Sequence, residues 1–298
     1  MNLYQERSAN IRRTFLLIGF FLILVIGIGY AVSWYFNQPW ILYGAAAFAI
    51  LTNFYAYWAS DKLVLKLTKA RPAKREEFFD LYTVTENLAI TAGLPMPKLY
   101  VIDDTTPNAF ATGRNEKHGV VVASTGLLAL LTRPELEGVI AHELSHIKNR
   151  DILVMTIAVV LTGFVAMAAD IMLRMSHGGG DRDRGSLGVL VFILAIVGVI
   201  LAPILAKLTQ LAISRRREFL ADASGALLTR YPEGLASALK KIGAHPNPMR
   251  AANVATAHLF IDDPFHTDDG TTHKVTWIER MFATHPPIAD RIKALAGH

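Results

Sequence analysis

Two kinds of apolar pattern divide the chain. Residues 14–32, 40–59, 152–173 and 187–206 are apolar all round a helical wheel, and Asp170, near the end of the third run, is the one charge among them. Each is close to the ~20 helical residues that cross the hydrocarbon core of a bilayer, so four transmembrane helices are predicted. The first run is longer than the apolar part of a signal peptide and no small-residue cleavage site follows it, so it reads as a retained anchor. Trp34, Tyr35 and Trp40 at one mouth of the first hairpin, and Tyr55, Tyr57 and Trp58 near the other, suit the water–lipid interfaces. Elsewhere the periods are shorter. Lys98–Ile102 and Gly119–Ala123 are β-branched runs, with Asn108–Thr112 a candidate third strand between them. Thr132 and Pro134 open a helix with Glu135 and Glu137 at its positive end. The expected architecture is therefore an α+β domain combined with four transmembrane helices. It divides into an N-terminal hairpin (1–60), a first half-domain (61–151), a second hairpin (152–213) and a second half-domain (214–298).

Composition agrees with that division. The 298 residues are 52% hydrophobic and 18% charged, with a mean hydropathy of +0.32, which excludes disordered and secreted disulfide-rich classes. There is no cysteine, so any metal must be held by imidazole and carboxylate. The net charge of +5 is asymmetric about the runs. About fifteen basic residues, among them Arg7, Arg12, Arg13, Lys62, Lys66, Lys148, Arg150 and Arg215–Arg217, flank one side, against Arg174, Arg182 and Arg184 on the other. Both termini and both half-domains are then expected in the cytoplasm, with Gly178–Gly180 in a short external loop. Asp170 is read as a carboxylate reaching the outer interface rather than as an ion-pathway residue. The basic residues after the second run lack interleaved aromatic platforms, so lipid headgroups and not nucleic acid are the expected partner.

The chemistry is concentrated in His142-Glu143-Leu144-Ser145-His146. Two histidines four apart on a helix lie about 40° apart and one turn above each other, so both can reach one ion. Glu143 is rotated by about 100°, away from the ligand face but near a water bound to that ion. A catalytic zinc needs a third ligand and an open position. Beyond the fourth run, Glu218 and Asp222 are again four apart, and the second hairpin returns them to the side on which His142 lies. Glu218 is assigned as third ligand and Asp222 as the carboxylate that orients a ligating imidazole. The remaining histidines lack ligand spacing, His118 being placed in a strand and the others in loops.

With those residues in view, the chain resembles the HtpX-type membrane zinc metallopeptidases, which are related to the CAAX prenyl endopeptidases. The matching stretches are Asn108–Gly113, His118–Gly126, His142–Asp151, Arg217–Asp222, and Thr284–Pro287 with Arg291. The resemblance implies a zincin-like (gluzincin) domain with one Zn2+ per chain, and polypeptide substrates. It also implies a role in membrane-protein quality control under stress, at the bacterial cytoplasmic (inner) membrane. It brings His285 near the metal as a donor to the oxyanion, against the alternative of a turn histidine fixed by two prolines. In peptidases of this kind an edge strand pairs with the substrate backbone, which makes Asn108, Ala109, Phe110 and Ala111 the candidate substrate strand. Arg291 is left between neutralising a buried carboxylate and capping a C-terminal helix.

A transporter would need ionisable or broken-helix elements near the bilayer midplane, whereas here they sit at the ends of the runs. A noncatalytic scaffold would have no need of an intact His142, Glu143, His146 and Glu218. Four helices also do not easily enclose the internal chamber of a prenyl-specific enzyme.

Overall fold

A computed structural model describes residues 3–158, 160–161, 215–245 and 286–297; the fourth expected span, most of the third, and His285 lie outside these. Two long helices, α1 (Leu3–Phe36) and α2 (Trp40–Leu67), form a hairpin closed by three residues, with Asn37 in the left-handed region at φ 51°. Ser8–Phe36 and Trp40–Leu67 are both long and apolar enough to span a bilayer. Both extend past the apolar runs, because the flanking residues are ordinary helix formers. No stop intervenes until Lys69, at φ 54°.

The chain then forms β1 (Arg71–Pro72), α3 (Phe79–Ala92), β2 (Lys98–Ile102), β3 (Ala109–Thr112), a 3-10 turn (Glu116–His118), β4 (Val120–Ser124), α4 (Thr125–Leu130) and α5 (Arg133–Lys148). His118 thus closes the turn and is not in a strand: Asn115 accepts a bond from its backbone N–H. The mixed sheet has the order β1-β2-β4-β3, with β2 and β4 parallel and the other two pairings antiparallel.

Both faces of this small sheet are covered, which is why β4 reads as an unbroken apolar run and not as an alternation. Leu99, Val101, Ala109, Ala111, Val121 and Ala123 face α3 and α5, packing with Val84, Val139, Ile140 and Leu144. The alternate residues Ile102, Phe110, Val120 and Val122 pack on Val64 of α2 and on Met155. Met155 belongs to a helix entered at residue 151, the start of the third apolar run. The sheet is therefore wedged between α5 on one face and the ends of two apolar helices on the other. That third helix also packs on the N-terminal hairpin, with Leu153, Ile157, Val160 and Leu161 against Phe21 and Ala56, and Val154 and Ala158 against Leu17.

α5 opens on Thr132, whose backbone N–H and hydroxyl both bond to Glu135 at 2.8 Å. Glu135 also receives Ser237 and Lys241 from the middle and last turn of the Pro232–Gly243 helix, so one carboxylate ties the start of α5 to the side of a second helix. Burial pushes the Glu135 carboxyl up, but these hydrogen bonds outweigh it and hold it down at about 2.

Candidate metal centre

The Glu218 helix (Arg215–Thr229) lies against α5 at a separation set by Gly225. A Cβ there would stand 3.0 Å from the backbone nitrogen of His142. This close approach brings together His142, His146 and Glu218, all buried, with one potential ligand atom from each within 4.8 Å of the others. The two Nε2 atoms are 3.1 Å apart. Glu218 stands 3.7 Å from Nε2 of His142 and 3.5 Å from Nε2 of His146.

The far side of each ring is occupied. His142 Nδ1 donates to Asp222 at 2.9 Å, and Arg291 clamps Asp222 through Nε at 2.9 Å and a terminal nitrogen at 2.7 Å. His146 Nδ1 donates to Asp151 at 3.1 Å. With both Nδ1 protons so directed, both Nε2 lone pairs and a carboxylate converge on one point. Ligands at about 2.0–2.2 Å around a tetrahedral ion lie roughly 3.3–3.6 Å from one another, so the spacing suits a small divalent cation. The charge balance agrees. Glu143, Asp151, Glu218 and Asp222 are buried carboxylates, and among the described residues only Arg217 and Arg291 are buried guanidinium groups beside them. A dication would make up the difference of two. Without a bound ion, burial works against a charge on His146, but the Asp151 hydrogen bond and the charges of Glu218, Asp151 and Glu143 lift its imidazole to about 9; a bound cation would displace that proton and answer the same negative surroundings. Burial likewise pushes Asp222 up, and its bonds from His142 and Arg291 overcome this and hold it below the usual carboxylate range.

Glu143 is buried in α5 next to His142 and outside the converging trio. Arg291, at 1% exposed, neutralises Asp222 and is not a helix cap. Asn108 precedes β3, and its carbonyl accepts from Ser124 N–H at 2.8 Å. Antiparallel bonding then alternates through the pairs Phe110↔Val122 and Thr112↔Val120. The backbone groups of Ala109 and Ala111 therefore point to the edge of the sheet away from β4. His118 is engaged elsewhere, with Asn115 at 2.8 Å and Arg114 at 2.9 Å.

Asp151 was not singled out from sequence. Five residues past His146 is no helical pairing, and the contact exists because the chain leaves α5 at Asn149, passes through Arg150 at φ 58° and re-enters helix. The only local signal was an acid at the start of an apolar run, where a helix N-terminus favours it.

Comparison with known proteins gives the family. Residues 75–298 match Peptidase family M48. The relatives named "Protease HtpX homolog" include that of Thermoanaerobacter pseudethanolicus, 46% identical over 301 residues (98% of this chain, 97% of the relative). Those of Thermococcus sibiricus, at 46% over 289 residues (95% and 94%), and of Streptococcus gordonii, at 42% over 304 residues (98% and 99%), are similar. Among solved structures, the crystal structure of S. mikatae Ste24p has a TM-score of 0.50 at 21% identity, covering 95% of this chain and 65% of that one. The chain belongs to Peptidase family M48, and is a metallopeptidase with candidate membrane helices at its N-terminus.

Proposed function

We propose that the chain is a membrane-anchored zinc endopeptidase with one Zn2+ per chain, held by His142, His146 and Glu218. The observation that carries this reading is the convergence of three buried acceptors, with both imidazoles oriented from behind by carboxylates. Zinc held by these residues would supply a Lewis acid and would lower the pKa of a coordinated water to about 7. Glu143 would take a proton from the attacking water and pass it to the leaving amine, a role worth typically about 10² to 10⁴ in rate. Asp222 and Asp151 keep each Nε2 lone pair aimed at the ion, and Arg291 keeps Asp222 ionised. His285 as a donor to the oxyanion is supported by the resemblance alone.

The substrate lies along β3, in the manner of an added strand. The outward backbone groups of Ala109 and Ala111 support this, with Asn108 and Phe110 setting the ends and depth of the strand. Because Phe110 packs on Val64 and Met155 at the ends of the apolar helices, the edge lies beside the bilayer surface. Membrane proteins and misfolded chains near that surface are then the natural substrates, and quality control under stress is the fitting role. The gluzincin class, four spans, both termini and the site on the cytoplasmic face of the bacterial inner membrane, and the division at 60/61, 151/152 and 213/214 are parts of the same reading. The basic flanks and the acidic third ligand support them.

The test compares purified protein with Glu143→Gln on an unfolded polypeptide, with and without added zinc. The expected result is one zinc per chain in both proteins, with cleavage reduced about 10²-fold or more in the variant. Equal cleavage by both would remove Glu143 from the mechanism.

A further inference from the structure

The carboxylate behind His146 is itself held by α1. Asn10, fully buried in the first turns of that helix, donates from Nδ2 to Asp151, and to the Asn149 carbonyl at 3.1 Å. Its Oδ1 accepts from Arg217 at 3.1 Å and from Arg13 at 3.0 Å. An asparagine amide has two donors and two acceptor sites, and all four are used. The partners also decide which way the amide faces, since two acceptors stand on one side and two guanidinium groups on the other. Aspartate would set a carboxylate against Asp151, and leucine would leave Asp151, Asn149 and two guanidinium groups short of a partner.

Packing holds this contact in register. Asn10 begins a stripe that continues through Leu17 and Phe21, and Asp151 begins the facing stripe of Val154, Ile157 and Ala158. Arg217 immediately precedes Glu218, so the same amide touches the support of one candidate ligand and the neighbour of another. We infer that Asn10 is a positioning residue of the metal centre. By fixing Asp151 and Arg217, it makes the geometry of His146 and Glu218 depend on docking of the first apolar helix.

The inference rests on the proposed zinc site, and its test reads metal affinity and not peptidase activity. Full-length protein in nanodiscs is titrated with Zn2+ against a chelator, and melting is followed for zinc-loaded and chelator-stripped samples. Asn10→Leu is expected to raise the zinc dissociation constant about 10- to 100-fold, the range for loss of a group that orients a ligand. It should also narrow the gap between the two melting temperatures, because zinc stabilises through its affinity. Added to Asp151→Asn, it should change affinity less than twofold. Thr14→Val, one turn further along, removes only a bond to the Asn10 carbonyl and should leave affinity unchanged. If the leucine variant does not fold, Asn10→Asp, which keeps size and both guanidinium partners, carries the same expectation.

An affinity within twofold of wild type, or a loss additive to that of Asp151→Asn, would overturn the inference and leave the zinc site standing. So would a parallel fall of both melting temperatures. A wild-type protein that takes up no zinc would overturn both.

Discussion

The two candidate ligand histidines stand one turn apart on the same helix, yet they are supported from opposite ends of the chain. Behind His142 is Asp222, four residues along the Glu218 helix and clamped by Arg291 of the Ile288–Leu295 helix. Behind His146 is Asp151, held by Asn10 of α1. One support is built wholly from the domain's own helices and carries a full ion pair. The other joins a neutral amide, at the foot of a helix suited to a bilayer, to a looser ion pair in which Arg217 stands 3.7 Å from Asp151. A single site is thus tied both to the folding of the domain and to the assembly of its anchors. Disturbing either tie should affect the metal and, through α5, the core that this helix shares with the sheet.

The largest effect is expected from Glu218→Gln, which removes a ligand common to both halves. It should weaken zinc retention more than Asp222→Asn or Asp151→Asn, each of which should cost about 10- to 100-fold. Equilibrium dialysis of the three variants gives the order, and a greater loss from Asp222→Asn would exchange the two assignments. Arg291→Met tests the charged support alone. It leaves Asp222 buried with His142 but without its guanidinium, and breaking a buried ion pair costs about 3–5 kcal/mol, so thermal unfolding should shift strongly even in chelator.

Gly225→Ala acts on the spacing between the halves. Its methyl group would meet the His142 backbone, and an overpacking cost of about 1–3 kcal/mol with weaker zinc binding is expected. Zinc affinity unchanged in that variant would mean that the ligand distances do not depend on this contact. The smallest effect lies away from the metal, at Glu135. Its folded pKa of about 2 lies below the ordinary carboxylate value of 4.5. Its contribution is therefore complete above pH ~4.5 and disappears as the pH falls through ~2. Glu135→Gln should lower stability by roughly 1–3 kcal/mol at neutral pH and flatten the acid limb of the unfolding curve, which melting scans against pH would read.

Much of the site could be read from local spacing. His142, Glu143 and His146 follow from helical geometry, and Glu218 with Asp222 from the same four-residue step on a second helix. Three of the four strands were visible, two as β-branched runs and one between them, each placed within about a residue of its observed bounds, whereas the two-residue β1 was not expected. His118 was misplaced because the apolar run that follows it hid the turn that Asn115 opens and caps. The supports were less legible. Arg291 was open between two roles, since nothing nearby in sequence marks which carboxylate a distant guanidinium meets. Asn10 lies 141 residues from Asp151, and a polar residue at the start of an apolar helix is ordinary at a membrane boundary.

The sequence by itself determined which atoms could bind a cation, because helix periodicity puts residues four apart on one face whatever surrounds them. It determined also that two long apolar helices precede the domain. Only the tertiary structure decided that the ligands converge, since Gly225 permits the two helices to approach within reach of one ion. It alone also decided which buried partners orient them. Those choices depend on contacts across more than a hundred residues, where burial makes an unmatched charge too costly to tolerate and so selects one arrangement of Asn10, Asp151, Arg217 and Arg291.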